Sequence, residues 1–106
     1  MQYTVVFAPE AAEQLAALYA HISKAASPTV AANHTDAIIH TCEGLQTFPQ
    51  RRTPRDDVRP GLRTTHHKKR TVIAYAIQDA RVTILGVFYG GQDFERMLES
   101  DPGNDT

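Results

Sequence analysis

Apolar residues recur every three or four positions through the first half of this chain and alternate with polar ones through much of the second. Gln2 to Phe7, rich in Tyr, Thr and Val, reads as a short strand. Ala8-Pro9-Glu10 then opens a helix. Proline suits a first helical position, where its missing N–H costs nothing, and Glu10 and Glu13 suit the positive helix start. Ala8, Ala11, Ala12, Leu15, Leu18, Tyr19 and Ile22 form one apolar stripe, and the helix is expected to end near residues 23–26. Ser27-Pro28 is a second start signal, with Ser27 as N-cap. The second stripe is Ala31, Ile38, Cys42 and Leu45, widened by Val30, Ala37 and Phe48, and is expected to run on to Phe48-Pro49. Two helices joined by so few residues are antiparallel neighbours, and their stripes need a further surface to cover.

The second half supplies that surface. After a polar, Arg-rich connection from Gln50 to Gly61, three strands are predicted: Leu62 to His66, Thr71 to Ile77 and Val82 to Tyr89. The last two form a hairpin across Gln78-Asp79-Ala80-Arg81. Gly90-Gly91 ends the last strand, and Gln92 to Glu99 is expected to add a short helix that packs Phe94, Met97 and Leu98. The fold class is therefore α+β in the order β-α-α-β-β-β, an N-terminal helical hairpin packed on a small, mostly antiparallel sheet. With 106 residues there is room for one domain. It is expected to span 1–99, with the polar run 100–106 as a flexible tail.

Charge changes this picture more than composition does. The net charge is −1, yet residues 51–81 hold nine basic and three acidic residues, a net of +6. The flanks, 1–50 and 82–106, carry −3 and −4. A basic middle on a near-neutral chain points to an anionic partner, either nucleic acid or an acidic protein segment, or else to a merely solvated loop. Cys42 is the single cysteine, so no intrachain disulfide can form, and its helix face predicts a buried, inert thiol. Neither a signal-peptide pattern nor an apolar run of membrane-spanning length is present, so a cytoplasmic location is expected.

Several ordered pieces carry a family resemblance. They are Phe7-Ala8-Pro9-Glu10-Ala11 with the Leu15/Leu18/Tyr19/Ile22 helix, and Cys42-Glu43-Gly44-Leu45 leading to Phe48-Pro49. To these add the phrase Asp57-Val58-Arg59-Pro60-Gly61-Leu62-Arg63, the strand Thr71–Ile77, and Val82–Val87 running into Gln92-Asp93. Together they resemble the ParE/RelE superfamily of type II toxins over roughly residues 3 to 95, most closely the ParE branch. The resemblance implies a toxin neutralised by a cognate antitoxin, and a homodimer or a toxin–antitoxin hetero-oligomer. ParE-like members poison DNA gyrase, and RelE-like members cut messenger RNA on the ribosome. A relative that retains only antitoxin binding is a third reading.

Nuclease chemistry needs groups that activate a ribose hydroxyl, stabilise a crowded phosphate and protonate a leaving oxygen. The candidates for that reading are Arg63, His66, Tyr89 and Asp93, with Arg63 and Tyr89 expected on neighbouring strands. For target or antitoxin binding the candidates are Arg59, Arg63, His67, Lys68, Lys69, Arg70 and Tyr89. Arg63 is the sharpest, because a charge inside a strand needs a partner. Asp56, Asp57 or an antitoxin carboxylate would serve. Tyr89 is equally well explained as a rim aromatic, and His66 to Arg70 as a solvated hairpin tip. Neighbouring histidines on a strand face opposite ways, and no other Cys/His pair has zinc spacing, so neither metal nor cofactor is expected. His21, His34 and His40 read as ordinary helix histidines. Gly90-Gly91 lacks the context of a phosphate loop, and no serine sits in a nucleophile elbow.

Overall fold

Proline at the first position starts both helices. In a computed structural model, which describes residues 2–51, 53–68 and 70–90, helix α1 spans Pro9–Ala25 and α2 spans Pro28–Glu43. Ser27 caps α2: its hydroxyl accepts from the Val30 N–H at 3.2 Å, satisfying one of the donors a helix start leaves free. Ala11, Leu15 and Leu18 are the buried face of α1, and Ala31, Thr35, Ile38 and Cys42 that of α2. Thr35 is a polar residue on that face, and its hydroxyl donates back to the Ala31 carbonyl at 3.0 Å. Burial, with a smaller contribution from Glu43, pushes the Cys42 thiol up to about 12.

The second helix is shorter than its apolar pattern predicts. It ends at Glu43, and a single 3₁₀ turn, Gly44–Gln46, follows. Leu45 stays buried there, but Phe48 takes a left-handed backbone (φ 55°) and is 61% exposed. Val30 and Tyr19 are also exposed. Each lies one residue from a buried position, Ala31 or Leu18, and so about 100° around the helix from it.

The sheet has five strands: β1 (Thr4–Phe7), β2 (Thr53–Pro54), β3 (Leu62–His67), β4 (Thr71–Gln78) and β5 (Arg81–Tyr89). Their order is β1-β5-β4-β3-β2. β1 pairs in parallel with β5, and every other pairing is antiparallel. The β4–β5 hairpin turns at Asp79, in the left-handed conformation that aspartate tolerates better than most residues. β2 is a two-residue strand inside the connection expected to be irregular, and its proline sits on an edge, where no ladder hydrogen bond is forfeited.

One irregularity sets which β5 side chains face the helices. Ala74 pairs with Gly86 but Tyr75 with Ile84, leaving Leu85 as an extra residue. Ile84 and Val87, three positions apart, thereby both reach the core beneath α1 and α2, together with Ile73, Tyr75 and Val82. Beside the bulge the Gln14 side-chain carbonyl, from α1, accepts from the Val87 N–H at 2.7 Å. On the opposite face Leu62, Ala74 and Phe88 form a second buried cluster with Val58, Val72 and Leu85 packed against it. Gly86 is required there, since a Cβ would stand 2.6 Å from the Phe88 ring. The short helix predicted at 92–99 and the tail 100–106 lie outside the described residues.

Candidate functional site

The polar groups on the helix side of the sheet gather at two places along β4, around Tyr75 near its middle and around Thr71 at its start. Tyr75, fully buried, donates its hydroxyl to the Pro49 carbonyl at 2.6 Å. Arg63 lies opposite Tyr75 on β3 and donates to the Gln50 carbonyl at 2.9 Å. The two side chains thus fasten the chain that leaves α2. The acids expected to hold Arg63 are engaged elsewhere. Asp57 receives a two-pronged contact from Arg55, at 3.0 and 2.9 Å, which holds its carboxyl below the usual carboxylate range. Asp56 accepts from the Gly61 N–H at 2.8 Å. Arg63 thus donates to a backbone carbonyl, while Asp56 and Asp57 serve Gly61 and Arg55.

The phrase Arg59-Pro60-Gly61-Leu62 has a backbone reason. The Leu62 N–H donates to the Arg59 carbonyl at 3.0 Å, and Gly61 has φ 80°. Proline followed by a left-handed glycine makes a type II turn, and it delivers Leu62 buried into β3.

At the start of β4, Thr71 stands between His67 on β3 and Tyr89 on β5. His67 Nδ1 lies 2.8 Å from the Thr41 hydroxyl oxygen on α2. The Thr41 hydroxyl also lies 3.1 Å from the Ala37 carbonyl. With its proton on that carbonyl, its oxygen accepts from His67 Nδ1–H and His67 Nε2 carries a lone pair. His34, also on α2, brings its ring centroid within 6.2 Å of His67 and 5.4 Å of Tyr89, edge-on to both. The Arg70 guanidinium lies 5.9 Å from the Tyr89 ring centre. Both His34 Nε2 and His67 Nε2 are shut off from solvent and have no hydrogen-bond partner among the described residues. Burial, then Lys68 and His34, hold His67 below its ordinary value. A cleft of about 270 Å³ opens here between Val30, Asn33, His34, Ala37, His67 and Lys68.

This arrangement redistributes the predicted site. Arg63 and Tyr89 are not on neighbouring strands: β4 lies between them, and their partners Tyr75 and Thr71 are four positions apart. That is about 13 Å along the strands and about 10 Å across them. His67, Arg70 and Tyr89 do come together, with Lys68 on the rim of the cleft. His66 is exposed and pairs with Val72 on the opposite face from His67. Arg59 is half-buried in the turn region. Lys69 and Asp93 lie outside the described residues. His34, set aside as an ordinary helix histidine, is the residue that sequence reasoning missed. The signal available was helix phase, since His34, Ile38 and Thr41 share one face at spacings of four and three.

Among the described residues no three His, Cys, Asp or Glu side chains gather as a metal cluster, and no helix is long and apolar enough to cross a membrane. No curated protein matches the chain. A solved structure described as the chromosomal ParDE TA system from P. aeruginosa shares the fold, with a TM-score of 0.74 at 21% identity. The match covers 84% of this chain and 97% of that one. The family model described as ParE toxin of type II toxin-antitoxin system, parDE, matches residues 5–94. With nearly the whole chain so matched, this protein belongs to the ParE toxin family of type II toxin–antitoxin systems.

Proposed function

We propose that this chain is a growth-inhibiting toxin that acts in the cytoplasm by binding DNA gyrase, and that a cognate antitoxin holds it inactive. The observation that carries this reading is the ParE family match across residues 5–94. The separation of Arg63 from Tyr89 supports it, because the nuclease reading counted on those two residues meeting. An antitoxin segment that is both acidic and apolar suits this surface. Lys68 and Arg70 are exposed, and β1 forms one sheet edge, open to an added strand. Residues 1–99 would act as one unit.

One observation favours a second reading. His34, His67, Tyr89 and Arg70 converge, and imidazole, phenol and guanidinium are groups that ribonucleolytic catalysis uses. In a RelE-like messenger RNA nuclease the chemistry would then sit at this end of β4 and not at Arg63. Inducing the chain alone in bacteria, with separate pulse labels for DNA and protein synthesis, tests both. Gyrase poisoning predicts that DNA synthesis fails first. Immediate loss of protein synthesis would overturn the gyrase reading in favour of the nuclease, and unimpaired growth with soluble toxin would reject both.

A further inference from the structure

We propose that His34 and His67 form a two-imidazole site for a divalent transition-metal ion, clamping α2 to the tip of the β3–β4 hairpin. Buried polar atoms almost always have partners. Here two imidazole nitrogens, one from each element, lack any among the described residues, and both histidines line the same cleft. The 2.8 Å contact of His67 Nδ1 with the Thr41 hydroxyl holds the ring as an outer-shell bond does in metal sites, and the tautomer with Nδ1–H donating to Thr41 leaves Nε2 free to ligate. Tyr89, edge-on to His34, limits that ring in turn.

The ring separation leaves room for one shared ion. An ion about 2.0–2.1 Å from each Nε2 places the ring centroids roughly 5–6.4 Å apart, depending on the angle at the metal. The centroids stand 6.2 Å apart, which implies a wide angle at the ion. Sequence spacing set a metal aside because His66 and His67 diverge. The second imidazole comes instead from the helix layer.

Local charge selects the class of ion. Lys68 lines the cleft and Arg70 lies beyond Tyr89, while no carboxylate lines the cleft among the described residues. Mg²⁺ and Ca²⁺ depend on oxygen ligands and are excluded. Zn²⁺, Ni²⁺ and Cu²⁺ bind imidazole well, with Cu²⁺ the tightest.

Ni²⁺ is the probe of choice, since it does not oxidise the Cys42 thiol. Calorimetric titration of the full chain should show one ion per chain, with a raised thermal midpoint that a chelator reverses and Mg²⁺ does not produce. His34→Gln and His67→Gln should each weaken Ni²⁺ binding at least tenfold, and His66→Gln should leave it unchanged. In the unmodified protein, Ni²⁺ should broaden the ring signals of His34 and His67 before those of the other histidines. Absence of saturable binding, broadening confined to other histidines, or affinity that survives both substitutions would overturn the site. None of these readouts depends on toxin activity.

Discussion

The middle of β4, at Tyr75, and its start, at Thr71, use similar residue types for opposite purposes. Near Tyr75, an arginine and a tyrosine donate to the adjacent carbonyls of Pro49 and Gln50. Near Thr71, an arginine and a tyrosine stack on each other beside two histidines whose Nε2 atoms have no partner among the described residues. The first place fastens the fold. The second brings together two imidazole nitrogens without a partner among the described residues and two exposed cations, Lys68 and Arg70, and that is where binding or chemistry has material to work with. Residue type does not separate the two places; the identity of the acceptor does.

The largest expected effect breaks the fastening at Tyr75. Tyr75→Ala should cost about 3–5 kcal/mol in urea unfolding, the range for emptying a large buried aromatic site. Tyr75→Phe should cost about 1–3 kcal/mol, because the Pro49 carbonyl loses its donor. An unchanged Phe variant would show that the hydroxyl fastens nothing. Gly86→Ala tests the β5 bulge between the two places, and should cost about 1–3 kcal/mol as the Phe88 ring is displaced.

A paired experiment sharpens the contrast. Arg63→Ala should lower stability by about 1 kcal/mol, whereas Arg70→Ala, at an exposed position, should stay within about 0.5 kcal/mol of the parent. At matched soluble expression Arg70→Ala should weaken growth arrest more than Arg63→Ala. The reverse order would return the functional role to Arg63.

The smallest effect is a pH dependence at the His67 end. His67 titrates below its ordinary 6.5, so on acidification the unfolded chain takes up this proton before the folded one. Its contribution is fully present above about 6.5 and declines as pH falls through the lower folded value. The slope is shallow, because the ring is only partly buried. Unfolding curves between pH 7.5 and 5 should flatten in His67→Gln, and an identical acid limb in both proteins would rule His67 out as its source.

Much of the fold was legible where local rules decide. Ser27-Pro28 announces a capped helix start, the apolar spacing of Leu15, Leu18, Ile38 and Cys42 gives the buried helix faces, and the two-residue turn at Asp79-Ala80 makes the hairpin. What escaped depends on distant partners. Two residues, Thr53-Pro54, are too few to show a period, and they become a strand only because β3 lies beside them. Phe48 continues an apolar spacing, but the helix carrying that spacing stops at Glu43. The parallel placement of β1 beside β5 leaves no trace in either strand alone.

The site was less legible than the fold for the same reason. His67, Arg70 and Tyr89 were named from the sequence and do converge, whereas Arg63 proved tied to a loop carbonyl that no pattern marks. His34 lies on another layer, and only the packing of α2 over the hairpin tip makes it a neighbour.

The central claim is that this ParE-family chain acts by binding gyrase and not by cutting RNA. A supercoiling assay with purified DNA gyrase, relaxed plasmid and rising amounts of the pure chain tests it most directly. The account predicts that supercoiling stops as toxin approaches the gyrase concentration and recovers when the cognate antitoxin is added. Undiminished supercoiling at large toxin excess, from a preparation that still arrests growth, would contradict it.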